Sequence, residues 1–169
     1  VSEVIAILDK PTLLVGVDGA VGVLQDLPET IADRAWSRLV CVVSDGDGGP
    51  GTLAAVKRGV PFILHSHGDN ENSWRNLLKI AENTATPSPL VLTHQTPNQI
   101  AGMHNPGGFT DGDRAACFLI ALGLDAERIK MLGTRSDLVG KWSGATDPER
   151  KLVKLQWMDR VIRMLGVDY

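Results

Sequence analysis

The sequence predicts an α/β protein of the Rossmann-like kind, a mainly parallel sheet of about five strands sandwiched by helices. Three observations carry this. Short runs rich in Val, Ile and Leu alternate with helix-length segments along the whole chain. The runs are continuously apolar instead of alternating, the pattern of strands covered on both faces. Polar residues collect directly after the runs, at what would be the carboxyl ends of parallel strands, where open α/β sheets place ligands.

Taken in order, the apolar opening 1–8 is followed by a first strand over 12–17, which Asp18-Gly19 punctuates. Residues 27–36 suit a short helix, with Pro28 in its first turn. The clearest strand is 39–43, apolar throughout and rich in β-branched residues, and it stops at Ser44-Asp45-Gly46-Asp47-Gly48-Gly49. A brief helix over 52–58 closes at Gly59. The strand 61–64 ends in His65-Ser66-His67-Gly68-Asp69-Asn70, and the helix 70–82 puts Trp74, Leu77, Leu78 and Ala81 on one face. A fourth strand, 89–92, precedes Thr93-His94-Gln95-Thr96. Thr110 or Asp111 caps a helix that runs through the apolar 115–122 to Gly123. A fifth strand is expected over 128–132, then a glycine-interrupted loop over 133–144. Thr146-Asp147-Pro148-Glu149 opens a last helix with Leu152, Leu155, Met158, Ile162 and Leu165 as its buried stripe and Gly166 as its end.

At 169 residues the chain reads as one domain, 1–169, large enough to bury a real core. A hydrophobic share of 43% and a charged share of 22% place it with globular proteins. The net charge of −3, with no Lys/Arg-rich run, argues against nucleic acid or a membrane surface as partner. No apolar segment approaches the ~18 residues of a bilayer span and the start is not a signal peptide, so a soluble, cytoplasmic protein is expected. Cys41 and Cys117 sit in apolar runs without motif spacing and are expected as reduced, buried thiols. Oligomeric state is left open, a homo-oligomer included.

The chemistry follows the strands. Asp18 leaves the first strand, Asp45 and Asp47 the second, His65, His67, Asp69 and Asn70 the third, and Thr93, His94 and Gln95 the fourth. One aspartate after a strand is ordinarily a helix cap; several on one edge suggest a ligand site. Asp45-Gly46-Asp47 is a short oxygen cluster that lacks the later positions of an EF-hand, and hard oxygen ligands few enough to leave room for water and phosphate suit Mg²⁺. His65 and His67 have no cysteine nearby to complete a zinc site. A cation held by Asp45, Asp47 and Asp69 beside Arg114 fits phosphoryl or pyrophosphoryl transfer, without the GxxxxGK[ST] of a P-loop. The densest stretch is Gly107-Gly108-Phe109-Thr110-Asp111-Gly112-Asp113-Arg114-Ala115. A helix needs one cap, and this turn carries two aspartates, an arginine and three glycines.

Three segments, Val17-Asp18-Gly19-Ala20, His65 to Asn70 and Gly107 to Ala115, resemble the archaeal 6-hydroxymethyl-7,8-dihydropterin pyrophosphokinases. That family goes with the thiamin-pyrophosphokinase-like domains and is related to motility-associated glycosyltransferase-like proteins. Ser44-Asp45-Gly46-Asp47-Gly48 is similar to the family's Thr-Asp-Leu-Asp-Gly-Asp element, with Gly48-Gly49-Pro50 in place of an acidic continuation, and the helix around Lys151-Leu152-Val153 is similar to its last one.

The resemblance implies Mg²⁺-dependent transfer of diphosphate from ATP to the hydroxymethyl group of 6-hydroxymethyl-7,8-dihydropterin, with release of AMP, in the making of methanopterin- or folate-type cofactors. It implies Asp45, Asp47 and Asp69 as metal and phosphate ligands, with His65, His67 and Asn70 shaping the same site. Thr110, Asp111, Asp113 and Arg114 would bind substrate or phosphate, helped by the helix amino terminus. Asp18 would lie in the nucleotide or pterin pocket, and Lys141 would clamp phosphate. The family's opening segment, with a Gly-x-Gly-Pro-Ser-Leu-like turn, is not found before Val1, so the domain is expected to lack it. Trp74, Phe109 and Trp142 are the rings available to stack a flat acceptor. Alternatives are a thiamin or other heterocycle pyrophosphokinase, a nucleotide-sugar enzyme, and a non-catalytic Mg–nucleotide-binding domain.

Overall fold

The computed structural model describes residues 1–143 and 146–169. Gly144, the last residue of the predicted loop, lies outside the described residues. The chain separates into two compact units, Val1–Asn105 and Pro106–Tyr169.

The first unit holds the sheet. After helix α1 (Ser2–Leu8) come β1 (Leu14–Val17), α2 (Glu29–Arg38), β2 (Leu39–Ser44), α3 (Gly49–Lys57), β3 (Phe62–Ser66), α4 (Glu71–Glu82) and β4 (Leu90–His94). The strands lie in the order β1-β2-β3-β4, and each neighbouring pair is parallel. Parallel neighbours cannot be joined by a tight turn, so each crossover carries a helix. The centre is dry: Val42, Val43 and Phe62 are fully buried, and Val42 lies opposite Phe62 in the register. β4 ends the order, and Leu90 and Leu92 stay 41% and 37% exposed. Their continuous apolarity therefore does not mean burial: as alternate residues they share one face of β4, and that face stays open at both.

The register positions the chemistry. Val17 pairs with Val43, so Asp18 and Ser44 leave the sheet side by side; Ser44 pairs with Leu64, which brings Asp45 next to His65. The order never reverses, so these exits gather along one carboxyl edge and not at a topological switch point. Where the sequence shows only the punctuation Asp18-Gly19, the chain forms a 3₁₀ segment, Asp18–Asp26, across that edge.

In the second unit, α5 (Asp111–Ala121) and α6 (Pro148–Leu165) pack around Ala116, Ile129, Met158, Ile162 and Val167. Asp147 caps α6 by accepting from the Arg150 amide at 2.8 Å, and Gly166 closes it with φ of +70°. The expected strand over 128–132 is instead a 3₁₀ turn (Ala126–Arg128) and one isolated parallel bridge, Lys130 with Asp168. A single bridge offers no ladder to extend, so the sheet has four strands. Cys41 and Cys117 are free and buried, as their apolar settings predict. No helix among the described residues is long and apolar enough to cross a membrane.

Candidate active site

Asp18 is the hinge of the site. Its φ of +41° makes it the one non-glycine residue in the left-handed region among the described residues, a conformation that aspartate tolerates better than most. Its Oδ1 accepts a 2.6 Å hydrogen bond from Ser44 Oγ, and Ser44 Oγ accepts from the Gly46 amide at 2.9 Å. Ser44 is fully buried. One hydroxyl thus ties the exit of β1 to the Asp45-Gly46-Asp47 turn after β2.

The consequence is a carboxylate group: Asp18, Asp45 and Asp47 each offer an oxygen, and these atoms lie within 4.8 Å of one another. Asp45 Oδ1 is buried and meets no N–H or hydroxyl donor. Burial pushes the Asp45 carboxyl up, but hydrogen bonds with Asp47 and His67, with the field of the His67 ring, outweigh it and hold Asp45 below its ordinary value. At such separations, two ionised carboxylates repel by on the order of 3 kcal/mol at an effective dielectric near 20. Three hard oxygens with one lacking a donor are a fitting seat for a small divalent cation.

The third strand's exit supports this group from the side. His67 lies between carboxylates, with Nε2 3.2 Å from Asp45 Oδ2 and Nδ1 hydrogen-bonded to Asp69 Oδ1. Asp69 is 84% exposed in its side chain and is not a member of the close carboxylate group, a place that Asp18 takes. Asn70 is a clasp: its Nδ2 donates to the Asp45 and His65 carbonyls at 2.8 and 2.7 Å, and its Oδ1 accepts from the His67 amide at 3.1 Å. His65 is buried, with Nδ1 3.0 Å from Thr93 Oγ1, and so joins β3 to β4. After β4, residues 94–105 line an open cleft of about 680 Å³ that includes His94, Asn98, Gln99 and Asn105.

In the second unit, the glycine-rich turn builds its own cap. Asp113 is fully buried and accepts from the Phe109 amide at 2.5 Å, the Thr110 amide at 2.7 Å and Thr110 Oγ1 at 2.6 Å. Arg114 is 2% exposed and donates from Nη1 to the Gly107 carbonyl at 3.2 Å. Gly108 has φ of +90°, and a Cβ there would come within 2.6 Å of the Arg114 amide nitrogen. The density of charge in this stretch therefore goes largely into the turn itself. Asp111 is partly buried in the first turn of α5. Lys141 is exposed with Nζ 4.4 Å above the Trp142 ring, and Phe109 lies 6.3 Å from Trp157 between centroids.

Two residues to which the sequence assigns no role stand out. Ser44 closes an apolar run with a hydroxyl, which is a readable signal. Thr52, in the first turns of α3, is 1% exposed with Oγ1 unpartnered, and only the folded packing shows it.

The chain is 32% identical over 171 residues to a 6-hydroxymethyl-7,8-dihydropterin pyrophosphokinase of Methanothermobacter thermautotrophicus, a match over 94% of the chain and 65% of that relative. It is 34% identical over 130 residues to a protein of the same name from Pyrococcus furiosus, over 72% of the chain and 52% of that relative. The chain thus spans between half and two thirds of the length of the curated relatives it matches. The resemblance carried by the three motifs extends over nearly the whole chain. No family model matches it, and no solved structure matches it.

Proposed function

We propose that this chain catalyses Mg²⁺-dependent transfer of diphosphate from ATP to the hydroxymethyl group of a dihydropterin, releasing AMP. The observation that carries the reading is the Asp18–Asp45–Asp47 group, set on two adjacent strand exits with a donor-free buried oxygen. The likeness to two proteins named as 6-hydroxymethyl-7,8-dihydropterin pyrophosphokinases supplies the acceptor.

In this reading Asp18, Asp45 and Asp47 hold the cation, which when bound offsets charge on the phosphate chain. Ser44 fixes the Asp18 carboxylate, and Asn70 fixes the Asp45 main chain, so both ligands are positioned before substrate arrives. His67 sets the outer oxygen of Asp45, and Asp69 steadies His67. Preorganised carboxylates of this kind lower the reorganisation needed at the transferring group, which is the main protein contribution in phosphoryl transfer. The open cleft after β4 lies in the size range of small-molecule sites and is a candidate place for the acceptor. Asp113 and Arg114 act here by holding their turn. Asp111 and Lys141 stay proposals as substrate contacts.

The test is AMP release from Mg–ATP with 6-hydroxymethyl-7,8-dihydropterin, beside thiamin and a no-acceptor control. AMP formed only with the pterin is the expected result. AMP formed with thiamin alone would move the acceptor to another heterocycle. No AMP with any acceptor, from a chain that binds Mg–ATP, would leave a binding domain.

A further inference from the structure

We propose that the amino end of α3, with the Thr52 hydroxyl at its base, is a phosphoryl-binding subsite beside the carboxylate group, taking oxygens of a nucleotide's diphosphate. This rests on the reading of the chain as a nucleotide-dependent diphosphate transferase.

The first observation is the hydroxyl. Thr52 is 1% exposed and its Oγ1 has no hydrogen-bond partner. A threonine inside a helix ordinarily bonds the carbonyl three or four residues back. Here it does not, and a buried hydroxyl without a partner carries its full desolvation penalty. The second observation is direction. Helix side chains tilt toward the amino end, and Thr52 Oγ1 occupies the space where a Cβ on Gly48 would lie. Asp18 Oδ1 and the Gly19 amide nitrogen are each 2.5 Å from that same point. The hydroxyl is therefore aimed at the place where the carboxylate group meets the start of α3.

The backbone there carries no side-chain bulk at the two positions before Pro50. Gly48 has φ of −66° and ψ of 10°, and Gly49 follows with φ of +63°. Gly48 and Gly49 each offer an N–H there, while Pro50, which follows, has none. α3 has no side-chain cap and no acidic residue within its first turn, and the carboxylates beside its amino end are those assigned to the cation.

Two demands on one small region are thus separated. The three carboxylates suit a cation, while the Thr52 hydroxyl and the amino end of α3 suit the anion that travels with it. A phosphoryl oxygen accepting from Thr52 would satisfy the group that the fold leaves unsatisfied.

Thr52→Val is close to isosteric and deletes only the hydroxyl. Since an unpartnered hydroxyl is removed, the variant is expected to melt at the same temperature or higher. Its affinity for Mg–diphosphate, measured by calorimetry, is expected to fall about tenfold, the scale of a hydrogen bond to a charged acceptor. Thr52→Ser retains the hydroxyl and is expected to bind within about twofold of the unaltered chain, and Mg²⁺ alone is expected to bind all three alike. Mg–diphosphate affinity unchanged in Thr52→Val would overturn the subsite. So would an equal loss of affinity for Mg²⁺ alone, because the hydroxyl would then serve the cation. Failure of the unaltered chain to bind Mg–diphosphate would overturn the functional reading along with it, whereas binding that ignores Thr52 would overturn the subsite only.

Discussion

Removal of one buried hydroxyl, in Ser44→Ala, separates a metal-site geometry from a coincidence of carboxylates. Ser44 Oγ donates to Asp18 Oδ1 at 2.6 Å and accepts from the Gly46 amide at 2.9 Å, in a residue with no exposed surface. The first bond has a charged acceptor and contributes roughly 1.5–3 kcal/mol; the second leaves one amide unpaired at about 1 kcal/mol. A total of roughly 3 kcal/mol would lower the melting temperature by about 6–12 °C in a chain of this size. The sharper effect is on Asp18, whose φ of +41° persists because its surroundings impose it. Without the hydroxyl, Asp18 loses the bond that ties its carboxylate to β2, and Mg²⁺ affinity should fall about tenfold or more, a cost of at least ~1.4 kcal/mol. Mn²⁺ titration followed by electron paramagnetic resonance, with thermal melts of the same samples, reads both quantities. Ser44→Ala with lowered stability but undiminished cation affinity would refute the argument, since Ser44 would then be only a core hydroxyl. Asp18→Asn, run alongside, should lose affinity with a far smaller loss of stability.

Asp45→Asn and Asp47→Asn should each abolish most Mg²⁺-dependent turnover, whereas Asp69→Asn, altered at an exposed carboxylate that steadies His67, should retain most of it; steady-state kinetics ranks them, and an Asp69 loss equal to Asp45 would put Asp69 back among the ligands. Gly108→Ala sets a Cβ against the Arg114 backbone at φ of +90° and should destabilise by about 2–4 kcal/mol, read from urea midpoints; a wild-type midpoint would show that the turn is loose. Burial raises the Cys41 thiol from 9.0 to about 11, so the unfolded chain ionises first as pH rises. Stability should therefore be flat below the unfolded value and fall through the interval up to about 11, by roughly 2–3 kcal/mol in all. Cys41→Ala should flatten that decline, and identical alkaline slopes in the two proteins would exclude the thiol as its cause.

What could be read from the sequence was what is local. Apolar continuity gave 39–43 as a strand because a buried parallel strand has no polar face to interrupt it, and Asp147-Pro148 gave the start of α6 because cap and proline act within one turn. Residues 128–132 have the same apolar look, yet whether such a run becomes a strand depends on a partner, and Lys130 finds only Asp168.

The site divides in the same way. That Asp45 and Asp47 belong together follows from the single glycine between them, but the third carboxylate is settled by register. Asp18 lies 27 positions before Asp45, and pairing of Val17 with Val43 brings their strand exits alongside each other. Asp69 is nearer Asp45 in sequence, and on motif grounds as good a candidate. It leaves β3, which flanks β2 as closely as β1 does, but it lies beyond the strand end at Ser66, and its carboxylate is taken up by His67. Position relative to the strand end, together with the His67 contact, thus separates two aspartates that the sequence cannot rank. The same logic bears on the richest motif. Asp113 and Arg114 look like surplus charge in Gly107 to Ala115 until the turn closes and three donors converge on the Asp113 carboxylate. A tight glycine turn leaves its own amides facing inward, and a buried carboxylate is the shortest way to satisfy them.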